Sequence, residues 1–135
     1  MARSDDGTLT SDSAIVKWCK LLDEASVKLQ QPYKSLHLFK DILSEAGFTE
    51  IVDMRFKWPI NHWPKEKKYK ELGVWQHENA VSALESITMA PITRAFDWSV
   101  DEVQVLLASV RKELNDPRIH GYWPICSVYG RKPLA

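Results

Sequence analysis

The segment IHGYWPICSVY, residues 119–129, decides the fold that we expect for this chain. Apolar side chains lie on both faces of the segment when it is extended: Trp123, Ile125 and Tyr129 on one face, and Tyr122, Cys126 and Val128 on the other. A strand that is apolar on both faces is typical of the interior of a sheet. Pro124 cannot donate to a strand ladder, so we expect a bulge or an unpaired amide there.

A second strand is predicted at residues 48–58, where apolar and charged residues alternate. One face carries Val52, Met54, Phe56 and Trp58, and the other carries Asp53, Arg55 and Lys57. This period of two predicts a half-buried strand with a charged outer face, as at the edge of a sheet.

Helices are predicted before the first strand. Residues 1–10 are polar and carry almost nothing to bury, so we expect a flexible segment there. A helix then begins at a cap formed by Ser11 or Ser13. Another begins at Ser35 and ends at Gly47, which suits the left-handed conformation that often follows a helix.

A helical insert is predicted between the two strands, at about residues 65–115. Its first part is interrupted near Gly73 and Pro91. Its last helix begins with a capping box, in which the Ser99 hydroxyl accepts from the amide of Glu102 and the Glu102 side chain reaches back. The content is α+β, with two antiparallel strands and about five helices.

The composition suits one domain at residues 11–135 and excludes several functions. The chain has 135 residues, 18 Lys and Arg against 18 Asp and Glu, and a formal net charge of zero, so nothing attracts it to nucleic acid or to an anionic membrane. Cys19 and Cys126 form no C-x-x-C pair, and no apolar run approaches the ~20 residues of a membrane span. We expect a cytoplasmic protein and leave the nucleus open.

Several short motifs resemble, in the same order, the downstream half of the fungal LaeA-like methyltransferases. They are Ser4-Asp5-Asp6-Gly7-Thr8-Leu9, Ala46-Gly47-Phe48, Trp63-Pro64-Lys65, Lys70-Glu71-Leu72-Gly73, Val110-Arg111-Lys112-Glu113-Leu114 and Val128-Tyr129-Gly130-Arg131-Lys132-Pro133. The resemblance covers nearly all 135 residues. It implies the C-terminal portion of a class I S-adenosylmethionine-dependent methyltransferase, a doubly wound α/β fold of seven strands.

The same resemblance implies that the cofactor-binding half of the fold lies upstream of these motifs. The chain has no G-x-G-x-x-G turn, so we expect no cofactor to be bound by the isolated chain, and S-adenosylmethionine only where a partner supplies its site. In the parent fold the seventh strand lies between the fifth and the sixth. The strand at 119–129 is therefore expected to pair with another chain, either a second copy or a methyltransferase-like partner.

The candidate catalytic residues are His77 and Glu78, because the resemblance places the helical insert against the substrate and this pair is suited to proton transfer. An exposed helix face is the plainer reading of the same pair. The pair is not part of H-E-x-x-H, since Val81 occupies the second histidine position, so no metal site is predicted. The candidate substrate-binding residues, for a hydrophobic small molecule, are Trp18, Leu22, Trp63 and Trp75, with core filling as the alternative.

Two functions remain open from the sequence. The first is a truncated methyltransferase-like protein of fungal secondary metabolism, not self-sufficient for methyl transfer, that acts by self-association or as the subunit of a methyltransferase-like partner. The second is a cofactor-independent cyclase or isomerase acting on a hydrophobic fungal metabolite. Whether the chain is an enzyme is not decided by the sequence.

Overall fold

The computed structural model describes residues 1–133 as four α-helices, one short 3-10 helix and a two-stranded sheet. In chain order the elements are α1 (Ala14–Lys28), the 3-10 helix (Leu36–Leu38), α2 (Phe39–Glu45), β1 (Thr49–Pro59), α3 (Lys67–Phe96), α4 (Val100–Leu114) and β2 (Tyr122–Arg131). This confirms the α+β content and a partial methyltransferase-like architecture.

The two strands pair antiparallel, with Trp58 opposite Trp123 and Phe56 opposite Ile125. The first predicted alternative at Pro124, a bulge, is wrong, because the register shifts between Thr49 and Val52 instead; the second, an unpaired position, fits the open edge of β2. In an antiparallel ladder the amides of one strand point alternately to either side. Pro124 stands at a position that faces away from β1, so its missing N–H costs this ladder nothing.

The core lies between the helices. Buried residues of α1, α3 and α4 meet there, and the fully buried members are Ile15, Ala25, Leu84, Thr88, Ile92, Val103, Leu107, Val110 and Leu114. Helix α4 begins with the predicted capping box, since Ser99 and Glu102 make both reciprocal bonds. Each helix contributes one apolar stripe, as amphipathic helices do when they pack around a common core.

The start of α1 is capped from another helix. Ser13 holds the N-cap position but makes no side-chain bond to the helix, which corrects the predicted serine cap. The carboxylate of Glu113 on α4 instead accepts from the amides of Ala14 at 2.7 Å and Ile15 at 2.9 Å. A carboxylate suits this position because the first amides of a helix have no partner within it and carry partial positive charge.

Helix α3 runs unbroken for 30 residues, which corrects the predicted interruptions near Gly73 and Pro91. A proline inside a helix costs about 3 kcal/mol. Burial of Leu84, Thr88 and Ile92 around it offsets this cost. Among residues 1–133 no helix is long and apolar enough to cross a membrane.

The apolar face of β1 is more open than the alternation predicts. Val52, Met54 and Phe56 are 38%, 39% and 43% exposed, because α1 reaches only the far end of this face, where Trp18 meets Trp123 edge to face. Helix α2 packs on the opposite face, and the Arg55 guanidinium donates to the carbonyl of Leu36. The sheet therefore presents an apolar surface with no cover among the described residues.

Residues 1–10 contain no helix or strand but are attached to the sheet. Arg3 and Tyr122 exchange two backbone hydrogen bonds, of 3.0 and 2.8 Å, as an isolated antiparallel bridge. Ala2 is buried against the helical core. That the segment is flexible stays a prediction, while its attachment places two acidic side chains beside β2.

Candidate functional site

An open groove lies at the carboxyl end of β1, where this strand meets the start of β2 and the segment 1–10. The groove has a volume of about 790 Å³ and is lined by Asp5, Asp6, Arg55, Lys57, Pro59, Trp63, Pro64, Lys65, Glu66, Tyr69, His120 and Tyr122.

Asp6 and His120 form a carboxylate–imidazole pair in this groove. His120 Nδ1 lies 2.5 Å from Asp6 Oδ2. Asp6 is itself fixed by the side chain of Thr8 at 2.7 Å, and the Thr8 hydroxyl accepts from the backbone amide of His120 at 2.9 Å. The hydrogen bonds from Thr8, followed by the one from His120, lower the pKa of Asp6 to about 2. Asp6 therefore stays ionised and fixes the orientation of the ring.

Asp5, Lys57 and Tyr122 form a second polar cluster beside this pair. Asp5 accepts from the Lys57 ammonium at 2.5 Å and from the Tyr122 hydroxyl at 2.9 Å. The Lys57 nitrogen also lies 4.8 Å from the centre of the Tyr122 ring. The bond from Lys57, and then the one from Tyr122, lower the pKa of Asp5, and the bond to Asp5 raises the pKa of Lys57.

Trp63 forms an aromatic wall of the groove, stacked on His120. The two ring centres are 4.9 Å apart with 28° between the planes, and the indole donates to the Gly121 carbonyl at 2.8 Å. Its loop is held by buried Asn61, whose amide donates to the carbonyls of Leu114 and Asp116 at 3.1 Å each. The indole is thus held at its nitrogen by Gly121 and on one face by His120.

Of the six predicted site residues, the structure brings only Trp63 into the groove. His77 and Glu78 lie on an outer face of α3, where His77 Nε2 is 2.9 Å from Asn115 Oδ1 and the Glu78 side chain is 73% exposed. The His77 side chain is 20% exposed, and neither side chain lines the groove.

The other three predicted site residues are also apart from the groove. Trp75 is 73% exposed. Trp18 lies in the helical core, where its indole donates to Thr88 at 2.9 Å, and Leu22 packs against that core. A pocket shared by Trp18, Leu22, Trp63 and Trp75 is therefore not what the structure shows.

Asp5, Asp6 and His120 could not be recognised as a group from the sequence pattern. The acidic pair and Thr8 belong to a motif that was read only for its resemblance, and His120 lies 114 residues from its partner Asp6. One sequence signal could have pointed to this site: two acidic residues, Asp5 and Asp6, directly precede Gly7. A glycine there suits a turn, and its φ of 75° in the structure agrees with this.

A second candidate surface is the sheet itself. Tyr122 exchanges both backbone bonds with Arg3 on the edge of β2 that faces away from β1. By the alternation of an antiparallel strand, the amides of Cys126, Val128 and Gly130 face the same way. No segment within residues 1–133 pairs with that edge beyond Tyr122.

Residues 1–133 contain no glycine-rich turn of the kind that holds the cofactor in nucleotide-binding folds. The turn that follows β1 is Ile60–Glu66, which contains no glycine, and no described strand is followed by a glycine-rich turn. Residues 1–133 also contain no group of three or more His, Cys, Asp or Glu side chains placed to hold a metal ion.

Comparison with known proteins gives relatives among fungal methyltransferases and regulators of secondary metabolism. The chain is 36% identical over 132 residues to the probable methyltransferase tdiE of Emericella nidulans, covering 98% of this chain and 42% of tdiE. It is 33% identical to the secondary metabolism regulator LAE1 of Cochliobolus heterostrophus, covering 97% of this chain and 43% of LAE1. It is 30% identical to the protein-methionine methyltransferase laeA of Emericella nidulans, covering 98% of this chain and 35% of laeA.

No family model and no solved structure matches the chain. The chain spans about two fifths of the length of the relatives that it matches, which is consistent with their C-terminal part. The resemblance predicted from the motifs is confirmed: the chain is a homologue of the fungal LaeA-like methyltransferases over nearly all of its own length.

Proposed function

We propose that this chain acts by association in fungal secondary metabolism, as a methyltransferase-like subunit whose sheet is completed by another polypeptide. The observation that carries the proposal is the unpaired edge of β2 next to an uncovered apolar sheet face. A lone two-stranded sheet is marginal in water, and an open edge attracts a further strand. Methyl transfer then requires the partner, which supplies the site for S-adenosylmethionine.

The direction of the segment 1–10 favours a methyltransferase-like partner over a second copy. Arg3 pairs antiparallel with Tyr122, so the backbone before Arg3 runs along β2 towards Pro124. The β2 strand of a second copy has to displace the bridge at Arg3 in order to pair along the whole edge.

A second candidate function is the cofactor-independent cyclase or isomerase. The observation that favours it is the Asp6–His120 pair in a groove with aromatic walls. His77 and Glu78, which lie on an outer helix face, are replaced in this role by Asp6 and His120.

Light scattering tests the association. The chain is mixed with the part of the Emericella nidulans tdiE protein that it does not match, and the mass is compared with 15.6 kDa for the chain alone. We expect an equimolar complex. Phe56→Lys, which charges the open sheet face, and Val128→Pro, which removes an outward amide, both weaken it.

The matched control is Val105→Lys, which places the same charge at an exposed apolar residue of α4. It leaves the complex intact. A chain that stays monomeric in the mixture contradicts the proposal. If the chain instead forms a homodimer that Val128→Pro disrupts, the partner is a second copy and not a methyltransferase-like protein.

A further inference from the structure

We infer that the groove at the carboxyl end of β1 binds a neutral, planar compound with a weakly acidic hydroxyl group, such as a phenol or an enol, and that His120 Nε2 accepts the proton of that hydroxyl. This goes beyond association, because all of the groups involved belong to this chain. It places the predicted substrate-binding residue Trp63 in a site with Asp6 and His120, for which the sequence predicted no role.

The imidazole is oriented as a base. Its Nδ1 faces the carboxylate of Asp6, so in the neutral ring the proton is on Nδ1 and Nε2 carries the lone pair. Nε2 has no hydrogen-bond partner among residues 1–133, and the side chain is 41% exposed on the side of the groove. Asp6 acts as a positioning residue that also stabilises the imidazolium once it forms, as a carboxylate does for histidine in hydrolytic enzymes.

The charges of the groove select a neutral ligand that ionises when bound. The lining contains three cations and three anions, which are Arg55, Lys57, Lys65, Asp5, Asp6 and Glu66. When His120 is neutral, the three positive and three negative side chains give the groove a net charge of zero. A ligand that binds as an ion would leave the occupied groove with a net charge. A neutral hydroxyl that gives its proton to His120 leaves an oxyanion beside an imidazolium, and the balance is kept.

The walls select a flat, apolar body. Trp63 and Tyr69, together with Pro59 and Pro64, give the groove aromatic and ring surfaces. The Trp63 plane is fixed by its bond to Gly121 and by its stacking on His120. A volume of about 790 Å³ lies within the ~300–1,000 Å³ of small-molecule sites.

The proton transfer is balanced within the groove. The ligand O–H bond breaks, its electron pair stays on the oxygen, and the proton forms a new bond to His120 Nε2. Asp6 stays ionised, and Lys57 remains bound to Asp5. The step needs no oxidant, no metal ion and no second substrate.

Spectroscopic titration with 4-nitrophenol tests this inference on the full chain. The compound absorbs visible light as the phenolate and not as the neutral phenol, so ionisation on binding is seen directly. At a pH where free 4-nitrophenol is mainly neutral, we expect visible absorbance to rise with protein concentration and to saturate. His120→Gln abolishes the rise and weakens binding about tenfold or more, since it removes a hydrogen bond to a charged group.

Two further variants separate proton transfer from general damage. In Asp6→Asn we expect 4-nitrophenol still to bind, but with a smaller fraction of the bound compound ionised. If Asp6 had only a structural role, the substitution would not change ionisation separately from binding. His37→Gln, at an exposed histidine outside the groove, leaves the titration unchanged. Circular dichroism verifies that each variant is folded. If His120→Gln does not fold, Asp6→Asn provides the test.

Absence of binding, binding without ionisation, or ionisation that persists in His120→Gln each overturns the inference. The mixing experiment with the unmatched part of tdiE keeps this inference separate from the association. Ionisation of the probe through His120 supports the inference whichever result that experiment gives, because every group involved belongs to this chain.

Discussion

Gly73→Ala tests how closely α3 is packed on the loop that carries the aromatic wall of the groove. A Cβ atom added at Gly73 lies 2.0 Å from the backbone oxygen of Asn61 and 2.7 Å from its carbonyl carbon. Helix propensity alone predicts that alanine stabilises the helix by about 1 kcal/mol. The contact predicts the opposite, because it involves backbone and cannot be relieved by turning a side chain.

The packing cost exceeds the propensity gain. Overpacking costs about 1–3 kcal/mol, and moving Asn61 endangers its two buried bonds to Leu114 and Asp116, at about 1 kcal/mol each. We therefore expect Gly73→Ala to lower the free energy of unfolding by about 1–4 kcal/mol.

Urea unfolding followed by far-UV circular dichroism measures this change. Ala108→Gly, at an exposed position of α4, serves as the control because it changes propensity without a contact, and it costs about 1 kcal/mol. If Gly73→Ala raises the stability by the amount that propensity predicts, the close approach of α3 to Asn61 is refuted.

Three further changes probe other bonds. Thr88→Val removes the acceptor of the buried Trp18 indole and is expected to cost about 1–3 kcal/mol in urea unfolding, and much less in a chain that already carries Trp18→Phe. Glu113→Ala removes the cap of α1 and is expected to lower the free energy of unfolding in urea by about 1–2 kcal/mol. A decrease of only a few tenths of a kcal/mol contradicts the capping role. Asp6 has a pKa lowered from 3.8 to about 2, so it contributes stability above pH 3.8 that is lost as the pH falls towards 2. Asp6→Asn is expected to flatten acid unfolding measured between these two pH values, and an unchanged acid profile speaks against the bonded carboxylate.

Local patterns were sufficient to predict most of the elements. The alternation at residues 48–58 corresponds to β1 at Thr49–Pro59, and the apolar segment at 119–129 overlaps β2 at Tyr122–Arg131. The capping box at Ser99 and the left-handed Gly47 were also predicted, because each depends on residues within a few positions of one another.

Features that depend on distant residues were not predictable in the same way. Pro91 is tolerated because α3 is buried around it, and burial is decided by α1 and α4. The open face of β1 depends on how far α1 reaches over the sheet. The groove joins Asp6 to His120 across most of the chain, while His77 and Glu78 were chosen for being neighbours in sequence.

The cap on α1 makes the first turn of this helix depend on α4, which is remote in sequence. Glu113 holds the amides of Ala14 and Ile15 from 99 and 98 positions away along the chain. Their exchange with deuterium is therefore expected to slow only once α4 has docked, and to quicken whenever α4 departs. The exchange rates of these two amide protons therefore report, at single residues, when α4 packs against α1 during folding.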